Sequence, residues 1–433
     1  MVYGKGKSGL SAKEFLQKQG AKVFLFEDGE KIKFDISKLD LVIISPGVSL
    51  ETELCREIKR LNIPIISELE LGFLNVKGKI IAVTGTNGKT TTVSLLAHIL
   101  NNGNTFLAGN IGFPLISLAE QTNKESLIVC EVSSFQLEQI QKFCPKISAI
   151  LNLAPDHLNR HKTFEAYVNC KANIFKNQSK NDICVLNYDD TNVFNLSEKV
   201  CAKKCYFSIF DQTKNKTFVG TFLLKNKIYF KNKEKIELIM ETKNIKLVGS
   251  KNLENVLCSC LVCKLLEVSN ETIIEKVNSF LPLEHRMELV FEKENVKYIN
   301  DSKATNIASA IADLSALTEK TVAIFGGSDK GENFNLLFSK LPKNVVFLIF
   351  CGETKWELER HAKKENIKNY AVFETLKESV CFGKNFCNEF SKKEKVNLIL
   401  CPACASFDEF RNFEERGKFF KNYLLNGENY GKN

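Results

Sequence analysis

Residues Ile80–Leu96 read IIAVTGTNGKTTTVSLL. An apolar run meets a turn of Thr, Gly and Asn, then a lysine and three threonines, then an apolar periodic stretch. That order describes a buried strand, a tight turn and a helix. Such a turn aims backbone N–H groups from the positive end of a helix, which is an anion site. Lys89 is placed to reach the outer phosphates of a nucleotide, and the Thr90 hydroxyl to ligate Mg²⁺. Gly85, Thr86, Asn87, Gly88 and Thr91 complete the cradle. The strict spacing G-x-x-x-x-G-K-[ST] asks for glycine at position 83. Val83 stands there instead, and Gly85 supplies the turn. The plain alternative is a capped turn with a chance lysine, and it leaves the order Gly, Gly, Lys, Thr unexplained.

Outward from this stretch, apolar runs alternate with helical patterns along the chain. Strands are expected in KVFLFE (22–27), LVIIS (41–45), KIIAVTG (79–85), LIVCEV (127–132), ISAILN (147–152), ICVLN (183–187), TVAIFGG (321–327), VVFLIF (345–350) and VNLILC (396–401). Continuous Ile/Val/Leu runs mark strands buried on both faces, and intervening helices mark parallel α/β sheets. The punctuation divides the 433 residues into three domains, 1–68, 69–282 and 283–433. The fold class is therefore α/β: an N-terminal Rossmann-like domain, a central parallel sheet of P-loop type, and a C-terminal Rossmann-like domain. Residues 206–248, rich in Lys, Thr and Phe, read as hairpins, a small antiparallel part of the central domain.

Composition narrows the class. The net charge of +9 is modest, and lysines are interleaved with glutamates, as in KNKEKIE (231–237). That is a solvated surface suited to anionic ligands rather than a nucleic-acid stripe. The 15 cysteines are scattered, many inside apolar runs, as expected of reduced core cysteine in the cytoplasm. The clusters CSCLVC (258–263) and CPAC (401–404) lack a second pair or histidines at zinc spacing, so they read as packing. No apolar run reaches the ~18 residues of a membrane span, and MVYGKGKSGL carries no secretory apolar segment.

Three further stretches sit where parallel sheets place ligands. GKGKSG (4–9) has glycine spacing for a phosphate turn, with Glu27 and Asp28 ending the next strand at a ribose-binding position. By spacing alone an ordinary glycine turn is nearly as good a reading. EVSSFQLE (131–138) sets Glu131 at the end of a strand, as a Mg²⁺ ligand or as a helix-start acid. PDHLNRH (155–161) does the same for His157, one of five histidines, although a lone loop histidine usually lies on the surface.

TGTNGKTTT, NIG (110–112), EVSSFQLE, PDHLNRH, CKANIF (170–175), EHR (284–286), NDSKATN (300–306) and PACASFDEFRNFEERG (402–417) occur in an order that resembles the Mur ligases. These are the ATP-dependent amide ligases of peptidoglycan precursor synthesis. With SPG (45–47), the last two motifs are similar to the branch that adds D-glutamate to UDP-N-acetylmuramoyl-L-alanine. The resemblance implies ATP, two Mg²⁺ ions, an acyl phosphate and a monomeric cytoplasmic enzyme with no nucleic-acid or membrane partner. It implies Lys89 on the β- and γ-phosphates, Thr90 and Glu131 on one Mg²⁺, and His157 with a carbamylated Lys171 on the second. Asn252 and Asn255 would lie on the adenine side, and Arg286 and Asp301 on the nucleotide with His285 beside them. Lys303, Thr305, Lys330, Ser406 and Phe413 would take D-glutamate. Ser8, Gly9, Glu27, Asp28, Ser45, Pro46 and Gly47 would take UDP, with Asn110 and His157 on the same substrate.

Without the resemblance, CKANIF reads as a helix turn with one exposed lysine, Asn252 and Asn255 as helix capping, and Lys303 and Lys330 as loop lysines. The sequence departs from the pattern in its short first strand, in the acidic pair Glu27–Asp28, and in Cys401 before PAC. The rival readings are a folylpolyglutamate-synthetase-like ligase, which lacks this C-terminal motif and a UDP-binding domain, and a P-loop protein without ligase turnover.

Overall fold

The computed structural model describes residues 1–329, 331 and 333–427, and within them three sheets. The first is parallel throughout, in the order Leu25–Phe26, Val2–Tyr3, Val42–Ile44, Ile65–Ser67. The third runs Glu288–Lys293, Val296–Asn300, Val396–Leu400, Lys320–Gly326, Val345–Cys351, Tyr370–Val372, and only its first pair is antiparallel. Two compact units result: Met1–Ile245 with Leu253–Phe280, and Lys246–Asn252 with the chain from Leu281 onward. The first two sheets both belong to the first unit.

The central sheet has nine strands. From one edge they are Lys235–Glu241, Lys227–Asn232, Gly220–Leu224, Lys203–Ser208, Ile183–Asn187, Ile147–Ile150, Lys79–Thr84, Leu127–Glu131 and Thr105–Gly109. Ile81, Ala82, Val83, Ile128, Val129, Cys130, Ala149 and Ile150 are almost completely buried, as continuous apolar runs require of a two-sided core. The strands flanking Lys79–Thr84 run parallel to it. The turns that follow all three therefore open at one edge, and this brings residues 85–89, 131–132 and 151–157 together.

The expected antiparallel excursion begins later than the sequence suggested. Lys203–Ser208 and Gly220–Leu224 pair in parallel, and the expected hairpins then follow as Gly220–Leu224, Lys227–Asn232 and Lys235–Glu241, each antiparallel to the next. Two residues explain the difference. A Cβ on Gly220 would stand 1.6 Å from the Tyr206 carbonyl oxygen, so only glycine permits this close pairing. Buried Lys231 donates to the carbonyls of Gln212, Thr213 and Asn215 at 3.0, 2.8 and 2.9 Å, which ties down the connection between those strands. The strand at 22–27 is shorter than expected, at Leu25–Phe26. All 15 cysteines are unbridged, and all are buried except Cys144, Cys201 and Cys381. No helix among the described residues is long and apolar enough to cross a membrane.

Glu70 anchors the central domain. Its buried carboxylate accepts the backbone N–H groups of Gln141, Lys142 and Phe143 at 2.9, 2.7 and 2.9 Å. Glu70→Ala leaves the buried Phe143 N–H without its acceptor, at a cost of ~1–3 kcal/mol, while the N–H groups of exposed Gln141 and Lys142 can turn to water. We expect a loss of about 2 kcal/mol, read as a lower urea midpoint, with Glu70→Gln recovering part of it.

Candidate active site

The glycine turn forms as the sequence predicts. Gly85 and Gly88 take φ values of 154° and 83°, and the helix Lys89–Leu100 starts without a side-chain cap, which leaves its first N–H groups to other acceptors. Asn152 fixes the turn from the next strand: its Oδ1 accepts Asn87 N–H at 2.8 Å and its amide donates to Asn87 O at 3.1 Å. The Thr86 hydroxyl bonds Ala154 O and Tyr167 OH, both at 3.1 Å. Thr90 is half-buried at the helix start and Thr91 is buried behind it. A Cβ on Gly88 would lie 2.3 Å from Asn255 Oδ1, so that amide sits over the turn. Asn252, one helical turn earlier, donates to Val248 O at 2.8 Å.

Two lysines converge on one carbonyl. Lys89 Nζ donates to Gly85 O and Thr86 O, each at 2.8 Å. Lys171 Nζ donates to the same Gly85 O at 2.9 Å. It lies 4.8 Å above the Tyr167 ring, and the residue is only 2% exposed, so the exposed-lysine reading of CKANIF is wrong. The helix Phe164–Ala172 turns its last turn into the core, between Tyr167 and the sheet edge. Burial, and then the charge of Lys89, hold the Lys171 pKa well below the usual lysine value.

Glu131 completes this edge. Its Oε1 accepts the Asn110 amide at 2.8 Å, and Asn110 N–H donates to Glu131 O at 2.9 Å. Oε2 is buried and has no hydrogen-bond partner among the described residues. An orphaned carboxylate oxygen beside a phosphate-type turn fits a cation ligand. His157 takes φ 54° and lies beside Asp156, edge-on to Phe135 with ring centroids 4.9 Å apart. Among the described residues, two groups of side chains lie close enough to hold a metal: Glu138, His161 and Cys170, and Glu284, His285 and Glu288. Neither contains a residue predicted for Mg²⁺. Arg160 occupies Glu138 at 2.6 Å, and Lys421 pairs with Glu284 and Glu288.

The first sheet carries its own cavity, of about 430 Å³, at its carboxyl edge. Ser8, Glu27, Asp28, Ser45, Pro46 and Gly47 line it, as expected, and so do Lys5, Lys7 and Val48. Gly9 lies behind the wall, where a Cβ would stand 1.9 Å from Gly4 O. The helix Lys7–Lys18 opens beside it with no side-chain cap at Gly6. Asn110 is not part of this cavity's lining.

In the second unit, Arg286 sits between two residues in left-handed conformations, His285 (φ 65°) and Met287 (φ 47°). Such backbone persists only where its surroundings over-determine it. Here Asp301 Oδ1 accepts Met287 N–H at 3.1 Å, His285 O accepts Lys303 N–H at 3.1 Å, and Glu288 accepts His285 N–H at 3.0 Å. Burial and neighbouring Asp313 raise the Asp301 pKa well above the carboxylate range. Lys303 Nζ stands 3.9 Å from the centroid of the Phe413 ring, which brings together two residues far apart in sequence. Thr305 is half-buried beside Lys303, and Ser406 is buried. Lys330 lies outside the described residues.

Sequence reasoning gave Arg416 no role, yet its buried guanidinium fastens this unit's loops. It donates to Ser302 Oγ, Ser302 O, Cys404 O and Ala405 O at 3.0, 3.0, 3.0 and 2.8 Å. Burial lowers its pKa to about 10. Its place inside the FEERG motif was the only signal. Asn152 and Tyr167 were also missed, because their partners come from elsewhere in the chain.

The Mur ligase middle domain family matches residues 83–263, and the Mur ligase glutamate ligase domain family matches 285–382. The chain is 38% identical to the UDP-N-acetylmuramoylalanine--D-glutamate ligase of Lachnoclostridium phytofermentans, over 98% of this chain and 97% of that one. It is 42% identical to the enzyme of the same name from Alkaliphilus metalliredigens, over 89% and 83%. A MurF ligase from Thermotoga maritima, solved in complex with ADP, matches in fold with a TM-score of 0.62 at 17% identity, over 98% and 94%.

Proposed function

Since the chain belongs to the Mur ligase family, we propose that it joins D-glutamate to UDP-N-acetylmuramoyl-L-alanine with ATP. The observation that carries this reading is the convergence of Lys89 and Lys171 on Gly85 O, with the unpartnered oxygen of Glu131 on the same sheet edge. A carboxylate and an amine do not condense unaided at neutral pH. The alanyl carboxylate takes the γ-phosphoryl group and ADP leaves. The D-glutamate amine then attacks the carbonyl carbon, the C–O bond to phosphate breaks, and the amine gives up a proton.

Catalysis of this kind is positioning and charge stabilisation. The ammonium of Lys89 and the N–H groups of residues 85–91 hold the phosphates. Thr90, Glu131, His157 and carbamylated Lys171 would hold two Mg²⁺ ions, which when bound draw charge from the phosphoryl oxygens. Asn252, Asn255, Arg286 and Asp301 hold the nucleoside side. Lys303, with Phe413 stacked beneath it, offers a cation to a glutamate carboxylate, alongside Thr305, Ser406 and Lys330. The cavity of the first sheet receives UDP. We assign domains 1–68, 69–282 and 283–433 to UDP-substrate, ATP and amino acid, in a monomer acting in the cytoplasm.

Mass spectrometry tests the assignment of substrates. With ATP and Mg²⁺, UDP-N-acetylmuramoyl-L-alanine should gain one glutamyl residue from D-glutamate and none from L-glutamate. A product formed equally well with L-glutamate, or with another amino acid alone, overturns it.

A further inference from the structure

The first strand, Val2–Tyr3, buries a hydroxyl that a phenylalanine would not carry. Tyr3 is fully buried and its ring packs edge-on against Phe26, with centroids 5.2 Å apart. Burying a phenol in such a core is unfavourable unless its hydroxyl finds a partner. The partner is the Oδ1 of Asp28, which faces the cavity of the first sheet. Thr52, whose Oγ1 accepts Cys55 N–H at 3.2 Å, starts the next helix. The result is a buried phenol tied directly to a carboxylate on the cavity wall. Lys5 pairs with Glu30, and Glu30 accepts Glu27 N–H at 3.1 Å, which pins the turn that carries Asp28.

An acid at the end of the second strand of such a sheet is where ribose hydroxyls are bound. An exposed aspartate on a turn would rotate freely. With one oxygen held by Tyr3, Asp28 presents the other in a fixed direction. We infer that Tyr3 is a positioning residue for the UDP-linked substrate: it orients Asp28 to accept a ribose hydroxyl without touching the ligand. This rests on the reading of the cavity as the UDP site.

Calorimetric titration with UDP-N-acetylmuramoyl-L-alanine tests it. Tyr3→Phe keeps the ring and should weaken binding about tenfold, the size expected for losing a hydrogen bond to a charged group. In turnover the loss should appear in KM for this substrate and not in KM for ATP. In an Asp28→Ala background the same substitution should change nothing further. Unchanged binding in Tyr3→Phe, or an equal loss in both backgrounds, overturns the inference. A wild-type protein that does not bind the substrate overturns the reading of the cavity instead. Should Tyr3→Phe not fold, 3-fluorotyrosine placed at position 3 serves. Its ¹⁹F resonance should move on adding substrate to the wild-type background and stay still in Asp28→Ala, and a resonance unmoved in both overturns the inference.

Discussion

Lys171→Ala is expected to abolish ligation, with a fall of at least a hundredfold, and acetate should restore part of the activity. Two ammonium groups cannot comfortably share one carbonyl in a buried site. Lys89 and Lys171 both donate to Gly85 O, and Lys171 is the more buried of the two. Burial and the charge of Lys89 favour the neutral amine at Lys171. A neutral amine adds to CO₂, and loss of a proton leaves a carbamate. With the proposed carbamate, the like-charge conflict with Lys89 would become an attraction, and Lys171 would join Glu131 as an anionic oxygen donor. Alanine removes that donor and leaves space for a small carboxylate. The check is steady-state turnover with and without acetate, together with the thermal unfolding temperature. A folded variant that acetate does not rescue contradicts the carbamate.

Lys89→Ala is expected to lower kcat/KM for ATP on the order of a thousandfold or more, as removal of a charge-stabilising cation at a phosphoryl group does. The ammonium of Lys89 is held at the turn by Gly85 O and Thr86 O, so it is already in place for phosphate oxygens. Arginine should not substitute. A planar guanidinium cannot occupy a space shaped for a compact point charge between two carbonyls 2.8 Å away. Turnover measured for Lys89→Ala and Lys89→Arg checks this. Activity in Lys89→Ala within tenfold of the wild type contradicts the role.

The strands that could be read from the sequence are those whose apolar runs are long and buried on both faces, such as Lys79–Thr84 and Val345–Cys351. Val2–Tyr3 and Ile65–Ser67 are too short to show a period, so packing against neighbours defines them. The turn at Gly85–Lys89 was legible because its chemistry is local. The burial of Lys171 was not, since a lysine near the end of an otherwise ordinary helix looks exposed until Gly85 is brought to it. The same holds for Glu131 with Asn110, Lys303 with Phe413, and Tyr3 with Asp28: each pair is made by the sheet order and not by spacing. At Gly220 the hairpin read from the sequence forms with Lys227–Asn232, while the missing side chain also lets the parallel strand Lys203–Ser208 approach from the other side, which spacing alone does not show.

In the proposed reaction ATP is spent only to activate an acyl group for an incoming amino acid. Phosphate release should therefore be measured with ATP and Mg²⁺, adding UDP-N-acetylmuramoyl-L-alanine and D-glutamate singly and together. Sustained release, one phosphate per product, is expected only when both are present. Equal release with either substrate omitted, or none with both supplied, contradicts it.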